Sequence, residues 1–210
     1  ATGILPNSPN IEGIDNSKVL SYIDVLKHKK TVGEKVAIIG AGGIGFDVAE
    51  YLTHEGKPTS LDVSAFLKEW GIDGLNEVRG GVEGVEPVEM PNPRKVFLLQ
   101  RKETKLGASL GKTTGWIHRT SLKNKNVEML RGVAYRKIDD EGLHITRNGK
   151  DEVLTVDNVV VCAGQRSKND LFEPLKQLGV SVHLVGGAFK AAELDAKEAI
   201  NQASRLAADL

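Results

Sequence analysis

The sequence has almost none of the residues that build disulfides and thiolate metal sites. Its 210 residues include one cysteine, Cys162, which can form neither a disulfide within the chain nor a thiolate cluster by itself. Because disulfides are rare in the cytosol, we expect a cytoplasmic protein. Four of the five histidines show no spacing that is typical of metal ligands: His28, His54, His144 and His183. The sequence therefore predicts no metal site.

A net charge and a long hydrophobic run are also lacking. Lysine plus arginine is 28 and aspartate plus glutamate is 28, so the formal net charge is +0. Such a chain has no overall attraction to nucleic acid or to an anionic membrane. Its apolar runs are far shorter than the roughly 20 residues that span a bilayer. We expect neither a nucleic-acid nor a membrane partner, and any cationic site has to be local.

The beginning of the chain, ATGILPNSPNIEGIDN, is rich in turn-forming residues and shows little periodicity. Its first residue is Ala1 rather than methionine. We interpret this start as the edge of a piece that continues upstream. A processed terminus or a cut tag is the alternative.

Four apolar segments have the pattern of strands that are buried on both faces of a parallel sheet. They are aliphatic, rich in β-branched residues and free of polar alternation: VAIIG (36–40), VFLLQ (96–100), VVVCAG (159–164) and VHLVGG (182–187). Amphipathic helices are predicted at 44–52, 112–123 and 193–210. This alternation predicts an α/β fold with a Rossmann-like, doubly wound parallel sheet.

Residues 127–156 have a different pattern, with short strand-like pieces separated by residue pairs that end in glycine. Asn148-Gly149 between alternating segments is a strong hairpin signal, so we predict an antiparallel β-meander there. Residues 54–94 contain several glycines and prolines. We interpret them as a long excursion between the first helix and the second strand, with a short helix in VSAFLKEWG.

A glycine-rich turn lies between the first predicted strand and its helix. Its residues are Gly40, Ala41, Gly42, Gly43, Ile44 and Gly45. In a dinucleotide-binding turn of this G-x-G-x-x-G form, Gly40 permits the tight turn and Gly42 lets the backbone approach a pyrophosphate. Gly45 lets the helix and the strand pack closely. A glycine-rich turn without a ligand is the alternative.

The second strand ends in Gln100, where an NAD-binding unit places an acid for the ribose hydroxyls. Gln100 follows Gly45 by 55 positions (100 − 45), because the excursion separates them. A carboxylate here would repel a 2′-phosphate, whereas Arg101 and Lys102 would attract one. The sequence therefore predicts NADP(H) as the cofactor. Ordinary solubilising surface residues are the alternative.

Further candidates for cofactor contacts come from other loops. Lys105 and Lys112 follow within the same loop region. Gly164-Gln165 and Gly186-Gly187 end two predicted strands at the edge where such sheets bind ligands, although simple turns are equally consistent.

No nucleophile elbow, P-loop or carboxylate pair is present, so no catalytic residue is predicted. We interpret Cys162 as a core residue and His118 as a helix-surface residue without an identified partner. Trp70 and Trp116 are interpreted as packing residues rather than stacking platforms.

Three segments resemble the flavoprotein disulfide reductases, in which an NAD(P)H domain is inserted into an FAD domain: ATG (1–3), VVVCAGQRSKND (159–170) and VHLVGGAFKAAELDAKEAINQASRLAADL (182–210). The resemblance implies three parts. Residues 1–34 are a linker and the end of the first FAD-domain half. Residues 35–164 are the NADP(H)-binding domain, and residues 165–210 are a returning FAD-domain segment.

Five segments more closely resemble the C-terminal portion of the bacterial NADPH-dependent 2,4-dienoyl-CoA reductases: VAIIGAGGIGFDVAEYL, LLQRK, LGKTTGWIHRTSL, YRKIDDEGLHI and ELDAKEAI. The resemblance implies an oxidoreductase of unsaturated fatty acid β-oxidation. In it, hydride passes from NADPH to FAD, and electrons continue through a 4Fe-4S cluster to FMN. The FMN and cluster domains would lie upstream as partners in the same polypeptide, so the isolated piece is expected to be inactive. A non-catalytic dinucleotide sensor or regulatory module is the alternative.

One departure from the broader flavoprotein pattern concerns FAD. Many relatives have Gly-Asp after the final strand, with the acid on the FAD ribitol, whereas this sequence has Gly186-Gly187-Ala188. We therefore expect this piece alone to retain little or no FAD.

Overall fold

The computed structural model describes residues 2–88, 92–191 and 196–210. In these ranges the chain forms ten strands: β1 (Ile4–Pro6), β2 (Val19–Ser21), β3 (Lys35–Ile39), β4 (Lys95–Leu99), β5 (Glu128–Leu130), β6 (Ala134–Asp139), β7 (Gly142–Arg147), β8 (Lys150–Leu154), β9 (Asn158–Val161) and β10 (Gln165–Ser167). The same ranges contain six α-helices: α1 (Tyr22–Leu26), α2 (Gly43–Leu52), α3 (Val63–Trp70), α4 (Gly115–Asn124), α5 (Phe172–Gln177) and α6 (Ala196–Asp209).

Contacts divide the chain into two compact units. The larger unit spans Asn10–Cys162, and the smaller unit combines the described residues up to Pro9 with those from Ala163 onward. The boundary that we predicted after residue 34 lies inside the larger unit. The reason is that β2 pairs with β9 at the edge of the main sheet and α1 packs against both strands.

The larger unit has three layers around a parallel sheet in the order β2-β9-β3-β4-β5. Ile38, Leu98 and Val160 share one face of this sheet and form a core with α1, α2 and α4. The antiparallel sheet β6-β7-β8 forms the third layer, and its strand β7 contacts β9. This arrangement confirms the predicted Rossmann-like α/β fold with an antiparallel meander.

Most predicted elements of the larger unit are confirmed. Three of the four predicted buried strands correspond to β3, β4 and β9, and the predicted helices include α2, α3 and α4. The turn between β7 and β8 has positive φ at both Asn148 (52°) and Gly149 (73°), as a type I′ hairpin turn requires.

The smaller unit contains the one predicted strand that is wrong. Residues 181–185 have no regular structure, and Gly186–Ala188 forms a 3₁₀ turn. A strand needs a neighbour for its backbone groups, but β1 and β10, the described strands of this unit, pair with each other. The final helix, predicted over 193–210, is α6; positions 193–195 lie outside the described residues. Its apolar stripe is largely exposed, with Ile200 at 64%.

Candidate dinucleotide-binding site

The glycine turn joins β3 to α2 with little room for side chains. Gly40 has a φ of +108°, which side-chain-bearing residues rarely adopt. A Cβ on Gly45 would lie 1.8 Å from the Gly40 carbonyl oxygen, so only glycine lets α2 begin this close to the strand. Gly42 is the N-cap of α2 and offers no side-chain cap. The first backbone N–H groups of α2 are therefore left to an external acceptor.

The other turn residues divide into an open side and a packed side. A Cβ on Gly43 would meet no heavy atom within 4 Å, so the space beside the helix start is open. Ala41 is buried, and Ile44 packs against the core. These two residues support the turn from inside, while the backbone of Gly42 and Gly43 lines its outer side.

Backbone hydrogen bonds bring the turn and the loop after β4 to the same edge of the sheet. The Gly40 N–H donates to the Leu99 carbonyl at 2.9 Å, directly beside Gln100. The Gln100 N–H in turn donates to the Leu130 carbonyl at 2.9 Å. The carboxyl ends of β3, β4 and β5 therefore lie side by side, which is where open α/β sheets bind their ligands.

The side chain of Gln100 closes the loop that follows β4. Its Nε2 donates to the Lys102 carbonyl at 3.0 Å and also to the Thr104 carbonyl. A carboxylate has no proton with which to make either bond at neutral pH. The amide that stands in place of the expected acid therefore has a structural role that sequence reasoning missed.

The predicted cations are exposed on and after this loop. Arg101, Lys102, Lys105 and Lys112 are all exposed, and none forms an ion pair with any part of the chain that the structure describes. Residues 100–131 contain eight lysines and arginines and two glutamates, a net charge of +6 (8 − 2). A chain with zero formal charge thus has one strongly positive region.

The charge of Arg101 also acts on a tyrosine of the meander. Burial raises the pKa of the Tyr135 phenol, and the positive charge of Arg101 partly opposes that rise. Because Tyr135 belongs to β6, the charge of Arg101 acts on the antiparallel layer.

The remaining predicted contacts lie in the smaller unit and have local structural roles. Gly164 and Gly186 have φ of +78° and +60°, and Gln165 is the first residue of β10. The Gly186 N–H donates to Gln202 Oε1 of α6 at 2.8 Å, and a Cβ on Gly187 would lie 2.8 Å from a neighbouring side chain. These positions therefore meet the packing needs of this unit, while their role toward a cofactor stays a prediction.

Cys162 and His118 have different surroundings: Cys162 is buried, and His118 contacts a carboxylate of another helix. Burial, together with the negative charge of Asp47, raises the pKa of the Cys162 thiol to about 12, so the thiolate is scarce at neutral pH. His118 Nδ1 lies 2.8 Å from Glu50 Oε1, which links α4 to α2. This partner is 68 positions away, so sequence spacing did not reveal it.

The two tryptophans differ in how far they pack against the rest of the protein. Trp70 packs against Phe66 with ring centroids 6.1 Å apart, which confirms its packing role. Trp116 is 55% exposed, so our interpretation of it as a packing residue is wrong. Trp116 lies on the outer face of α4, whereas Leu122 of the same helix is fully buried.

One group among the described residues has the donor atoms of a metal site. Asp139, Glu141 and His144 lie around the β6–β7 turn. Hydrogen bonds from Lys137 and His144, at 2.7 and 2.8 Å, hold the pKa of Asp139 well below its ordinary range. These bonds already use both carboxylate oxygens, which explains the cluster as an ion-paired hairpin end.

The parallel sheet, the glycine turn at its carboxyl edge and the antiparallel layer define an α/β domain of the class that typically binds nucleotides. Residues 1–192 match the family described as pyridine nucleotide-disulphide oxidoreductase, and the chain belongs to this family. Its members are flavin-dependent oxidoreductases that are linked to a pyridine nucleotide. None of the helices in the described ranges combines the length and apolar character needed to cross a membrane.

Individual relatives are reductases that are much longer than this chain. A metal reductase of Desulforamulus reducens is 25% identical over 203 residues, which cover 97% of this chain and 29% of the relative. A cinnamate reductase of Clostridium sporogenes is 29% identical over 190 residues, which cover 90% and 23%. A 2-naphthoyl-CoA reductase in complex with 2-naphthoyl-CoA matches with a TM-score of 0.68 and 26% identity, over 95% of this chain and 24% of that one. The chain therefore spans about a quarter of these relatives.

Replacing Gly45 by alanine is expected to destabilise the protein by about 1–3 kcal/mol, because the new Cβ overlaps the Gly40 carbonyl oxygen. Gly43→Ala is the matched control, since its Cβ enters open space; it is expected to leave stability unchanged or slightly improved. Thermal unfolding followed by circular dichroism measures both. Equal behaviour of the two variants would contradict the close approach at Gly45.

Proposed function

We propose that this chain is the NADP(H)-binding part of a flavin-dependent reductase. In such a protein NADPH supplies a hydride and the flavin accepts it. The observation that carries the proposal is the loop after β4, where the Gln100 amide closes the backbone and leaves Arg101 and Lys102 exposed beside the glycine turn. The residues of this chain bind and orient the nicotinamide nucleotide.

The glycine turn suits the pyrophosphate of the cofactor. The start of α2 lacks a side-chain cap, and the space beside Gly43 is open. Uncapped N–H groups and the positive end of the helix dipole favour a negatively charged group at this position. We assign pyrophosphate binding to the backbone of Gly40–Gly45.

The loop after β4 suits a ribose that carries a phosphate. Arg101 presents a planar fork of donors that matches phosphate oxygens, while Lys102, Lys105 and Lys112 add positive charge. A 2′-phosphate brings a charge that these side chains, which have no carboxylate partner among the described residues, can neutralise. This electrostatic match favours NADP(H) over NAD(H).

The described residues do not form a complete binding site for FAD. The Gly186 N–H is engaged by Gln202, and Gly187-Ala188 offer no carboxylate. We assign the NADP(H) domain to the larger unit and segments of an FAD-type domain to the smaller unit. Other parts of the same polypeptide would complete the FAD site and carry FMN and 4Fe-4S. The chain alone is then inactive and keeps little or no FAD.

The finer proposal is NADPH-dependent reduction of 2,4-dienoyl-CoA in unsaturated fatty acid β-oxidation, in the cytoplasm. The segments that resemble this enzyme family support it, as does similarity to a cinnamate reductase and a 2-naphthoyl-CoA reductase. A non-catalytic dinucleotide sensor would have the same turn and loop but would pass no electrons.

Anaerobic mixing of the complete protein with NADPH distinguishes these two functions. The reductase function predicts bleaching of the flavin absorbance after NADPH binds, because hydride reaches the flavin. Stopped-flow spectroscopy measures the absorbance change. Binding without bleaching would support the sensor and contradict the reductase.

Arg101→Ala is expected to raise the Kd for NADPH about 10- to 100-fold, as the loss of a charged hydrogen bond does, and to change the Kd for NADH little. Titration of each nucleotide by its fluorescence measures both constants. Lys150→Ala, at an exposed position on the β7–β8 hairpin, is the control and should change neither. Equal losses for both nucleotides would remove the phosphate assignment.

Substitution of Gln100 separates loop closure from charge. Gln100→Leu removes the donor to the Lys102 and Thr104 carbonyls, so NADPH is expected to bind several-fold more weakly. Gln100→Glu adds a negative charge as well and is expected to weaken NADPH further while NADH gains relative to it. The same titrations measure the effect. Wild-type NADPH affinity in Gln100→Leu would show that closure of the loop is dispensable.

A further inference from the structure

The outer side of α4 and the edge strand β5 line an open groove of about 500 Å³, within the range of about 300–1,000 Å³ that is typical of small-molecule sites. We call it the cationic groove. Six of its side chains carry its chemistry: Lys105, Trp116, Arg119, Lys123, Met129 and Arg131.

Side chains that share one face of α4 and one side of β5 form the two walls of the cationic groove. Trp116, Arg119 and Lys123 are spaced i, i+3 and i+7 on α4, so they form one stripe along its surface. Met129 and Arg131, two residues apart along and just past β5, point to the same side of the strand. Because β5 is the last strand of the parallel sheet, this side of the groove is open.

The four cations of the groove form no ion pair with the part of the chain that the structure describes. Neither Lys105, Arg119, Lys123 nor Arg131 has a carboxylate within 4.0 Å in residues 2–88, 92–191 and 196–210. Arg119 is further held in place, because its Nη1 donates to the Gly107 carbonyl at 3.0 Å. Solvent-facing helix surfaces usually mix both signs, whereas here like charges gather around one concavity and repel one another.

The groove also offers apolar and aromatic surface. Trp116 is 55% exposed at its rim, although a large aromatic side chain of a core helix is normally covered. Met129 adds apolar surface from the strand wall. An indole face stacks on a flat ring, and the surrounding cations attract negative charge.

We propose that the cationic groove binds a small ligand that joins a flat ring to two or more negative charges, the chemistry of a nucleoside phosphate. The ring stacks on Trp116, and the charged group contacts Lys123, Arg119 and Arg131. The walls of this groove are α4 and β5 rather than the turn and α2, and of the six side chains named above Lys105 alone is also assigned to the proposed NADP(H) site.

Fluorescence of the full 210-residue chain tests the groove directly. The chain has two tryptophans, so Trp70→Phe leaves Trp116 as the reporter. ADP is expected to quench this fluorescence with saturation. Pyrophosphate, which lacks the ring, and adenosine, which lacks the charge, are each expected to bind at least tenfold more weakly than ADP.

Charge-reversal variants in the Trp70→Phe chain locate the bound ADP. Lys123→Glu and Arg131→Glu are each expected to raise its Kd about tenfold or more. Lys150→Glu makes the same charge change on the β7–β8 hairpin and should leave the Kd unchanged. Trp116→Leu, measured by calorimetry, should also weaken ADP.

Gly43→Glu separates this site from the proposed NADP(H) site, because it places a carboxylate in the open space beside the start of α2, where the pyrophosphate is assigned. Retained ADP quenching in Gly43→Glu, with loss in Lys123→Glu, supports the cationic groove even if NADPH fails to bind the chain at all. The groove assignment is overturned if ADP causes no quenching, or if Lys123→Glu and Arg131→Glu leave the Kd unchanged. Pyrophosphate binding as tightly as ADP would overturn the role of the ring.

Discussion

The register of three parallel strands is the constraint on which the candidate sites depend. Ile39 pairs with Leu99, and Leu99 pairs with Leu130, so β3, β4 and β5 end at the same level. Backbone hydrogen bonds at Gly40 and Gln100 continue this alignment one residue beyond the strands. The glycine turn, the loop after β4 and the start of the cationic groove therefore share one sheet edge, although the turn is far from the other two in the sequence.

The positive charge of the chain is concentrated in the segment that begins at this edge of the sheet. The chain has equal numbers of acidic and basic residues, yet residues 100–131 have a net charge of +6 (8 − 2). The described ion pairs outside this stretch, such as Lys30–Asp24 and Lys137–Asp139, neutralise their cations locally. Positive potential is thus concentrated where strand ends and uncapped N–H groups already favour anions.

Sequence reasoning was most accurate for elements whose signal is local. The continuous apolar runs of β3, β4 and β9 and the Asn148-Gly149 turn depend on their own residues, and all are confirmed. The run VHLVGG has the same composition, but pairing decides whether such a run becomes a strand, and pairing is not a local property. It therefore gave a wrong prediction.

The site details that were missed depend on distant or geometric information. The sequence revealed the absence of an acid at position 100, but not that the amide closes its own loop. The His118–Glu50 contact joins two helices that only the fold brings together. Trp116 follows the helical period of α4 on its outer side, and periodicity alone does not say which stripe of a helix faces solvent.

The excursion over residues 54–94 has a consequence for how the sheet assembles. β3 and β4 are neighbours in the sheet, but 55 positions separate Gly45 from Gln100, against about 20 in a compact unit of this kind. Loop-closure entropy grows only with the logarithm of length, so the added span costs roughly 0.9 kcal/mol. Insertions at this point are therefore expected to lower the free energy of unfolding only slightly. They make the pairing of β3 with β4 a long-range contact, and such contacts slow folding.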